Sequence, residues 1–315
     1  MGQPRVFVDA PPFPLELVRE LLAPTVSLVE AAPRPWSGDD IVGLLVWDRV
    51  SGADMERLPA LKVIATCSVG FDHIDVAAAT KRGVWVCNVP DYCVEEMADS
   101  TIALLLSLLR GVVALDRTVR SGAWDDHAAG PLSRLRGTRL GVVGFGRIGR
   151  EVAARAHAIG MEVWATDPLL EASEIAAAGV RPAALEEMLR SCTAITLHVP
   201  LTPRTGGLIG EPELALMPRG SFLVNTARSG LIDLEAVVAA LDSGHLSGAA
   251  LDVIEVEPPT AKHPAPRHPR LIVTPHAAWY SPESEREVYR RSTLAVRAVI
   301  EGREPDGAVG RPSVR

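Results

Sequence analysis

Short apolar, β-branched runs alternate with helical patterns along nearly the whole chain, and this alternation limits the fold more than any other feature. "RVFVDA", "IVGLLVW", "LKVIATC" and "VWVCNVP" form a first set before residue 90; "LGVVGF", "EVWATD", "AITLHVP", "SFLVNTA", "GAALDV" and "LIVTPH" form a second from 140 to 276. Each is short and bounded by turn residues, as buried strands are. The runs are too apolar for a sheet with one wet face, so they belong to parallel sheets covered by helices on both faces. Helical segments such as "DLEAVVAALDSG" lie between most of them. A long helical segment, 94–120, separates the two sets, and a last one, 283–301, is placed to pack back on the first set. Residues 256–269 form a proline-rich loop. With 315 residues the chain exceeds what one core usually spans, so two domains are expected.

The net charge of −7, with basic residues scattered, excludes the usual electrostatic footprint of a nucleic-acid or membrane-surface partner. Cys67, Cys87, Cys93 and Cys192 form no C-x-x-C pair and sit mostly among apolar residues, which suits free thiols in a reducing compartment. "MGQPRVFVDAPPF" lacks the charged-then-apolar order of a signal peptide, and Val6 stands where a myristoylation motif needs Ser or Thr. "IALLLSLL" stops at Arg110, far short of a bilayer span. A soluble cytoplasmic protein is expected. No residues show metal-ligand spacing, so no metal is expected, and no G-x-S-x-G elbow is present.

The stretch "GVVGFGRIGREVAARAHAIGMEVWATDP", 141–168, has the order strand, glycine turn, helix, strand, acid. Gly144, Gly146 and Gly149 occupy G-x-G-x-x-G, and Ile148, Val152, Ala156 and Ile159 repeat at helical spacing. The first glycine permits a tight turn, the second lets backbone approach a pyrophosphate at a helix N-terminus, and the third lets helix and strand pack closely. Asp167, 18 residues after Gly149, is placed to bond ribose hydroxyls and would repel a 2′-phosphate. NAD is therefore favoured over NADP.

Ligands of open parallel sheets lie beyond the carboxyl ends of the strands. Arg228 follows "SFLVNTA", Asp252 ends "GAALDV" with Glu257 five residues on, and His276 ends "LIVTPH". An Arg, a carboxylate and a His on one edge suit hydride exchange at a 2-keto or 2-hydroxy acid. Arg228 would pair with the substrate carboxylate and polarise its carbonyl. His276 would supply the proton, and Glu257 would stabilise the imidazolium. Taken singly, each has a plainer role as a structural pair, a solvated loop acid or a turn cap; their joint placement favours chemistry. His198 in "TLHVP" reads as core or cofactor wall, and His73, His127, His245, His263 and His268 as surface or loop residues.

These residues resemble the D-isomer-specific 2-hydroxyacid dehydrogenases over nearly the whole chain. "SVGFDHID", "GVVGFGRIGR", "HVPLTPRTGGLIG", "FLVNTARSGLID", "GAALDVIEVEPP" and "TPHAAWYS" follow the family's motif order. The resemblance implies catalytic Arg228, Glu257 and His276, and backbone amides of Ser68, Val69 and Gly70 on the substrate carboxylate. It implies NAD contacts from Gly144, Gly146, Arg147, Ile148, Gly149, Asp167, His198, Val199, Pro200, Thr205, Thr226, Ala227, Asp252 and His276, with Asp252 on the nicotinamide amide. It implies a Rossmann doubly wound domain, 99–284, and a smaller, discontinuous flavodoxin-like α/β substrate domain, 1–98 with 285–315. It also implies a homodimer through the 94–120 helix, whose apolar residues lie on more than one face.

"VCNVP", "VEEMADST" and "PHAAWYS" are similar to the C-terminal-binding protein branch, in which Trp279 would favour substrates with an extended or aromatic side chain. Two residues depart from expectation: Ser229 stands where the family usually has Gly, and Thr66 where that branch has Arg. "SVG" looks more like glyoxylate and hydroxypyruvate reductases. An NAD-dependent enzyme is expected, with a nucleotide-sensing corepressor of the same fold as the alternative. The chain starts at its first strand and stops soon after its last helix, which favours the enzyme. Formate or phosphite as substrate is disfavoured, since neither has a side chain to meet Trp279. Trp47, Asp48 and Arg49 follow a first-domain strand; if Arg49 faces the substrate, a second anionic group on that substrate is expected.

Overall fold

A computed structural model describes residues 4–9, 14–23, 26–30, 35–261, 263 and 265–310. The chain divides into two compact units, Met1–Tyr92 with Ser281–Arg315, and Cys93–Tyr280. Both breaks fall beside helix caps, at Cys93 and Ser281, rather than at the 98/99 and 284/285 positions drawn from sequence.

The first unit runs β1 (Arg5–Val8), α1 (Leu15–Leu22), β2 (Ser27–Glu30), β3 (Ile41–Val46), α2 (Gly52–Glu56), β4 (Val63–Thr66), α3 (Val76–Lys81) and β5 (Trp85–Cys87). Its strands pair in the order β2-β1-β3-β4-β5, all parallel, which is the flavodoxin-like order. All six residues of β3 are buried, as the unbroken apolar run "IVGLLV" requires of a strand covered on both faces.

The second unit runs α4 (Val94–Leu109), α5 (Val112–Arg120), β6 (Arg139–Val143), α6 (Arg147–Ala158), β7 (Glu162–Thr166), α7 (Ala172–Ala177), β8 (Arg181–Pro182), α8 (Leu185–Ser191), β9 (Ala194–Leu197), α9 (Glu211–Leu216), β10 (Ser221–Asn225), α10 (Leu234–Asp242), β11 (Leu246–Leu251) and β12 (Leu271–Val273). The sheet order is β12-β11-β10-β9-β6-β7-β8, parallel throughout. Counted within the unit this is 3-2-1-4-5-6 with a seventh strand, the doubly wound Rossmann order. The chain then returns to the first unit as α11 (Pro282–Ile300), which packs on α1, β3 and β4, and as β13 (Ala308–Gly310), antiparallel to β5.

Two sequence expectations need correction. The segment 94–120 is two helices bent by 61°, not one. Gly111 caps α5 at φ +62°, in the left-handed region, and a Cβ there would overlap the Ala129 methyl, so the apolar run turns at its glycine. The strands β2, β8 and β13 carry too little apolar pattern to be expected. Three of the histidines read as surface or loop residues lie in loops and make contacts there: His73 Nε2 lies 2.9 Å from Thr66 Oγ1, His245 bonds the Leu214 carbonyl, and His268 pairs with Asp242. No single described helix is long and apolar enough to cross a membrane.

All four cysteines are buried free thiols. Burial pushes Cys67, Cys87 and Cys192 up to about 12, with Cys67 Sγ 3.2 Å from Ser292 Oγ. The thiolate is the reactive form, so these groups are inert while folded. A disulfide-exchange reagent is expected to titrate essentially no thiol in native protein and four after denaturation. Rapid native reaction at any of the three would contradict the packing.

Candidate active site

The site lies within the second unit, along the carboxyl edge of its sheet. Across that edge stand His276 after β12, Asp252 after β11, Arg228 after β10, His198 after β9, Gly144 after β6 and Asp167 after β7. Neighbouring strands are about 4.8 Å apart, so residues distant in sequence form one row.

The glycine end fits a dinucleotide. Gly144 has φ +93°, and a Cβ there would lie 2.6 Å from the His198 carbonyl oxygen. A Cβ on Gly149 would overlap the Gly144 carbonyl oxygen, so helix and strand touch backbone to backbone. Gly146, the α6 N-cap, has nothing within 4 Å of a built Cβ, the open approach that a pyrophosphate needs beside a helix N-terminus. Arg147 is exposed in the first turn, and Ile148 is partly buried behind it. Asp167 Oδ2 accepts from Phe145 N–H at 2.9 Å, and Oδ1 from Leu169 N–H at 2.9 Å. Its carboxylate is thus fixed beside the turn, on the wall of an open hollow lined by Leu170, Ile175, Pro182 and Ala183. These residues fit NAD, and the hollow would hold its adenosine end.

Of the middle residues, His198 keeps some exposure, yet burial of its ring pushes its pKa down to about 3, so it is neutral and bonds Thr196 Oγ1 at 3.0 Å. Val199 and Pro200 continue from it, and Thr205 Oγ1 closes the loop on the Pro200 carbonyl at 2.6 Å. Thr226 is 2% exposed, and its hydroxyl meets Thr101 of α4 at 2.9 Å, which leaves only its backbone to face a ligand. Ala227 N–H donates to Asn225 Oδ1, and Asn225 Nδ2 donates to the Arg228 carbonyl at 2.8 Å. This knot sets Arg228, a partly buried residue with extended backbone, just beyond β10. Ser229 starts a short 3-10 turn that closes to Ile232.

At the far end His276 Nδ1 lies 2.8 Å from Glu257 Oε2, and Glu257 Oε1 accepts from Ile254 N–H at 3.0 Å. An ionised carboxylate only accepts, so Nδ1–H donates and Nε2 is the ring nitrogen left to meet a ligand. The imidazole stays 45% exposed, open to a ligand. His276 is the one described non-glycine residue at positive φ, +52°. Asp252, 2% exposed, holds that turn: Oδ1 accepts from Thr274 Oγ1 at 2.6 Å and Ala277 N–H at 2.9 Å, and Oδ2 from Ala278 N–H at 3.0 Å. Ser100 of α4 donates to the Ala278 carbonyl at 3.1 Å.

Sequence reasoning missed Ser100, Thr101, Asn225 and Thr274. All four brace functional residues, and their only signal is a small polar side chain inside an apolar run or at a strand end. Among the described residues no three His, Cys, Asp or Glu lie close enough to hold a metal ion.

In the first unit, Ser68, Val69 and Gly70 follow β4. Their carbonyls accept from Val89 N–H, Asn88 Nδ2 and Ser68 Oγ. Thr66, buried where the branch comparison expects Arg, bonds Ser68 Oγ at 2.8 Å. Trp47 packs edge-on against Tyr289 at 6.2 Å, while Asp48 and Arg49 are exposed.

Residues 102–278 match the D-isomer specific 2-hydroxyacid dehydrogenase, NAD binding domain. The chain is 34% identical to glyoxylate reductase of Thermofilum pendens over 285 residues, covering 86% of this chain and 81% of that one. It is 38% identical to D-3-phosphoglycerate dehydrogenase of Bacillus subtilis over 258 residues, 82% of this chain and 49% of the longer relative. The crystal structure of D-lactate dehydrogenase from Aquifex aeolicus with NAD and lactic acid superposes with a TM-score of 0.86 at 29% identity, over 95% of this chain and 96% of that one. The chain belongs to the D-isomer-specific 2-hydroxyacid dehydrogenase family and carries its NAD-binding domain.

The glycines predict a separable pair of variants. Gly146→Ala, in open space at φ −75°, should keep the wild-type melting temperature but weaken NADH binding at least tenfold. Gly149→Ala should lower Tm by roughly 5 °C or more, as core overpacking does. Calorimetry and NADH fluorescence titration check both; equal behaviour of the two would contradict the assigned roles.

Proposed function

We propose that this chain interconverts a 2-keto acid and its D-2-hydroxy acid with NAD as the hydride carrier. The observation that carries this is the 2.8 Å His276–Glu257 pair, set on the same sheet edge as Arg228 and the glycine turn. NAD, when bound through the Gly144–Gly149 turn and Asp167, gives or takes the hydride at substrate C2.

The chain's own residues manage charge and proton. Arg228 pairs with the substrate carboxylate and draws electron density onto the carbonyl oxygen. In reduction, that oxygen takes the Nε2 proton of protonated His276, the C=O π pair ends on oxygen, and His276 is left neutral. Glu257 stabilises the imidazolium before transfer and keeps the ring oriented. In oxidation, neutral His276 takes the hydroxyl proton through the same atom. Asp252 has one acceptor position beyond its three bonds for the nicotinamide amide. The loop Ser68–Gly70, with its three carbonyls already bonded, offers backbone N–H groups to the substrate carboxylate.

The relatives named above act on glyoxylate, 3-phosphoglycerate and lactate, which share the 2-keto or 2-hydroxy acid group. Loss of NADH absorbance with glyoxylate, hydroxypyruvate, phenylpyruvate and methylthio-ketobutyrate tests the reading. Turnover is expected on at least one, falling by at least 100-fold in His276→Ala, the usual scale of acid–base catalysis. Tight NADH binding with no turnover on any of them would contradict it.

We also propose a cytoplasmic homodimer. The buried free thiols support a reducing compartment. Val112 and Val119 on α5 are 54% and 50% exposed, and Trp124 just beyond is 91% exposed, an apolar surface that a second copy would cover. Light scattering should give a dimer mass, shifted toward monomer by Trp124→Glu; monomeric wild-type protein would overturn the proposal.

A further inference from the structure

His276 stands in the left-handed backbone region at φ +52°, a conformation that costs a non-glycine residue energy and persists only where neighbours enforce it. The neighbours are identifiable. Its own N–H donates to the Asp252 carbonyl at 2.9 Å and the Thr274 carbonyl at 3.0 Å. Asp252 holds the amides of Ala277 and Ala278 on the other side. These bonds fix the backbone before and after His276. The Ala277 bond anchors one edge of the peptide plane that follows His276; the other edge is the His276 carbonyl itself.

That carbonyl is held by a side chain. The indole Nε1–H of Trp279 donates to the His276 carbonyl oxygen at 2.9 Å, three residues back. The indole is itself set by an edge-on contact with Tyr280, ring centroids 5.6 Å apart and planes at 90°. Rotation about the N–Cα bond of His276 carries its carbonyl and its imidazole together, so a held carbonyl resists the change of φ that would draw the ring from Glu257.

We propose that Trp279 is a positioning residue: its indole N–H pins the His276 carbonyl, holds His276 in its left-handed conformation and so keeps the imidazole on Glu257. This rests on His276 being the proton donor, and it differs from the role implied by resemblance, in which the indole face selects the substrate side chain. The N–H acts on every substrate alike; a pocket wall acts only on substrates that reach it.

The test replaces Trp279 by 3-benzothienylalanine, which keeps the bicyclic shape and exchanges N–H for sulfur, with Trp279→Phe as a second variant that checks folding by Tm. The expected result is a kcat lower by about tenfold, the rate equivalent of one hydrogen bond. The loss should be equal for glyoxylate and phenylpyruvate, with both KM values and NADH binding within about twofold. Residues acting as a unit are non-additive, so the same replacement in a Glu257→Gln background should cost less than about twofold. A loss confined to phenylpyruvate or carried in KM, or one fully additive with Glu257→Gln, would overturn the proposal.

A crystal structure of the benzothienyl variant gives a readout that needs no turnover. His276 is expected to leave positive φ and its Nδ1 to part from Glu257. An unmoved His276 would overturn the positioning role, whereas inactivity of wild-type protein on every keto acid would overturn the proposed function instead.

Discussion

The second unit is organised around one buried carboxylate. Asp252 is 2% exposed and cannot remain charged there without donors. It finds them in Thr274, Ala277 and Ala278, and in doing so folds the end of the chain's last Rossmann strand into a fixed turn. That turn puts a histidine where a backbone alone would not, at positive φ and within 2.8 Å of Glu257. Replacing the carboxylate with an apolar group would remove the reason for the turn, and with it the orientation of the His276 imidazole. The same residue that could meet a nicotinamide amide is therefore first a structural keystone for its neighbour.

The edge of the sheet is built at two different densities. At the glycine end side chains are excluded, so that α6 rests directly on the Gly144 carbonyl and Gly146 opens to solvent. At the acid end side chains are packed and bonded, and helix α4 braces them from behind: Ser100 reaches the His276 turn and Thr101 reaches Thr226, two residues before Arg228. Both hydroxyls sit on the first unbent helix of the unit, so the His276 turn and the Arg228 strand end are referenced to one rigid element. Precise placement of this kind is what proton and hydride chemistry demands.

Much of this was legible in the sequence because parallel sheets impose simple rules. Continuous apolar runs meant buried strands, and polar residues just past them had to share one edge; Arg228, Asp252 and His276 followed from that alone. The glycine fingerprint was legible because each glycine answers a separate steric demand: the His198 carbonyl crowds Gly144, Gly146 faces open space, and the Gly144 carbonyl crowds Gly149. The bend at Gly111 was hidden because apolarity reports burial, not direction, and apolar residues resume directly after Arg110 and Gly111 in "LLRGVV". β8 and β13 were hidden because short edge strands need little apolar pattern. Ser100, Thr101, Asn225 and Thr274 act through individual hydrogen bonds to groups far along the chain or to nearby backbone, and no periodicity marks such bonds.

The most direct test of the central claim is the fate of a labelled hydride. NADH carrying deuterium at the transferring C4 position would be mixed with a 2-keto acid that the protein turns over, and the product examined by mass spectrometry and chiral chromatography. The account predicts one deuterium at C2 of a hydroxy acid of D configuration. A product without the label, or of L configuration, would contradict it.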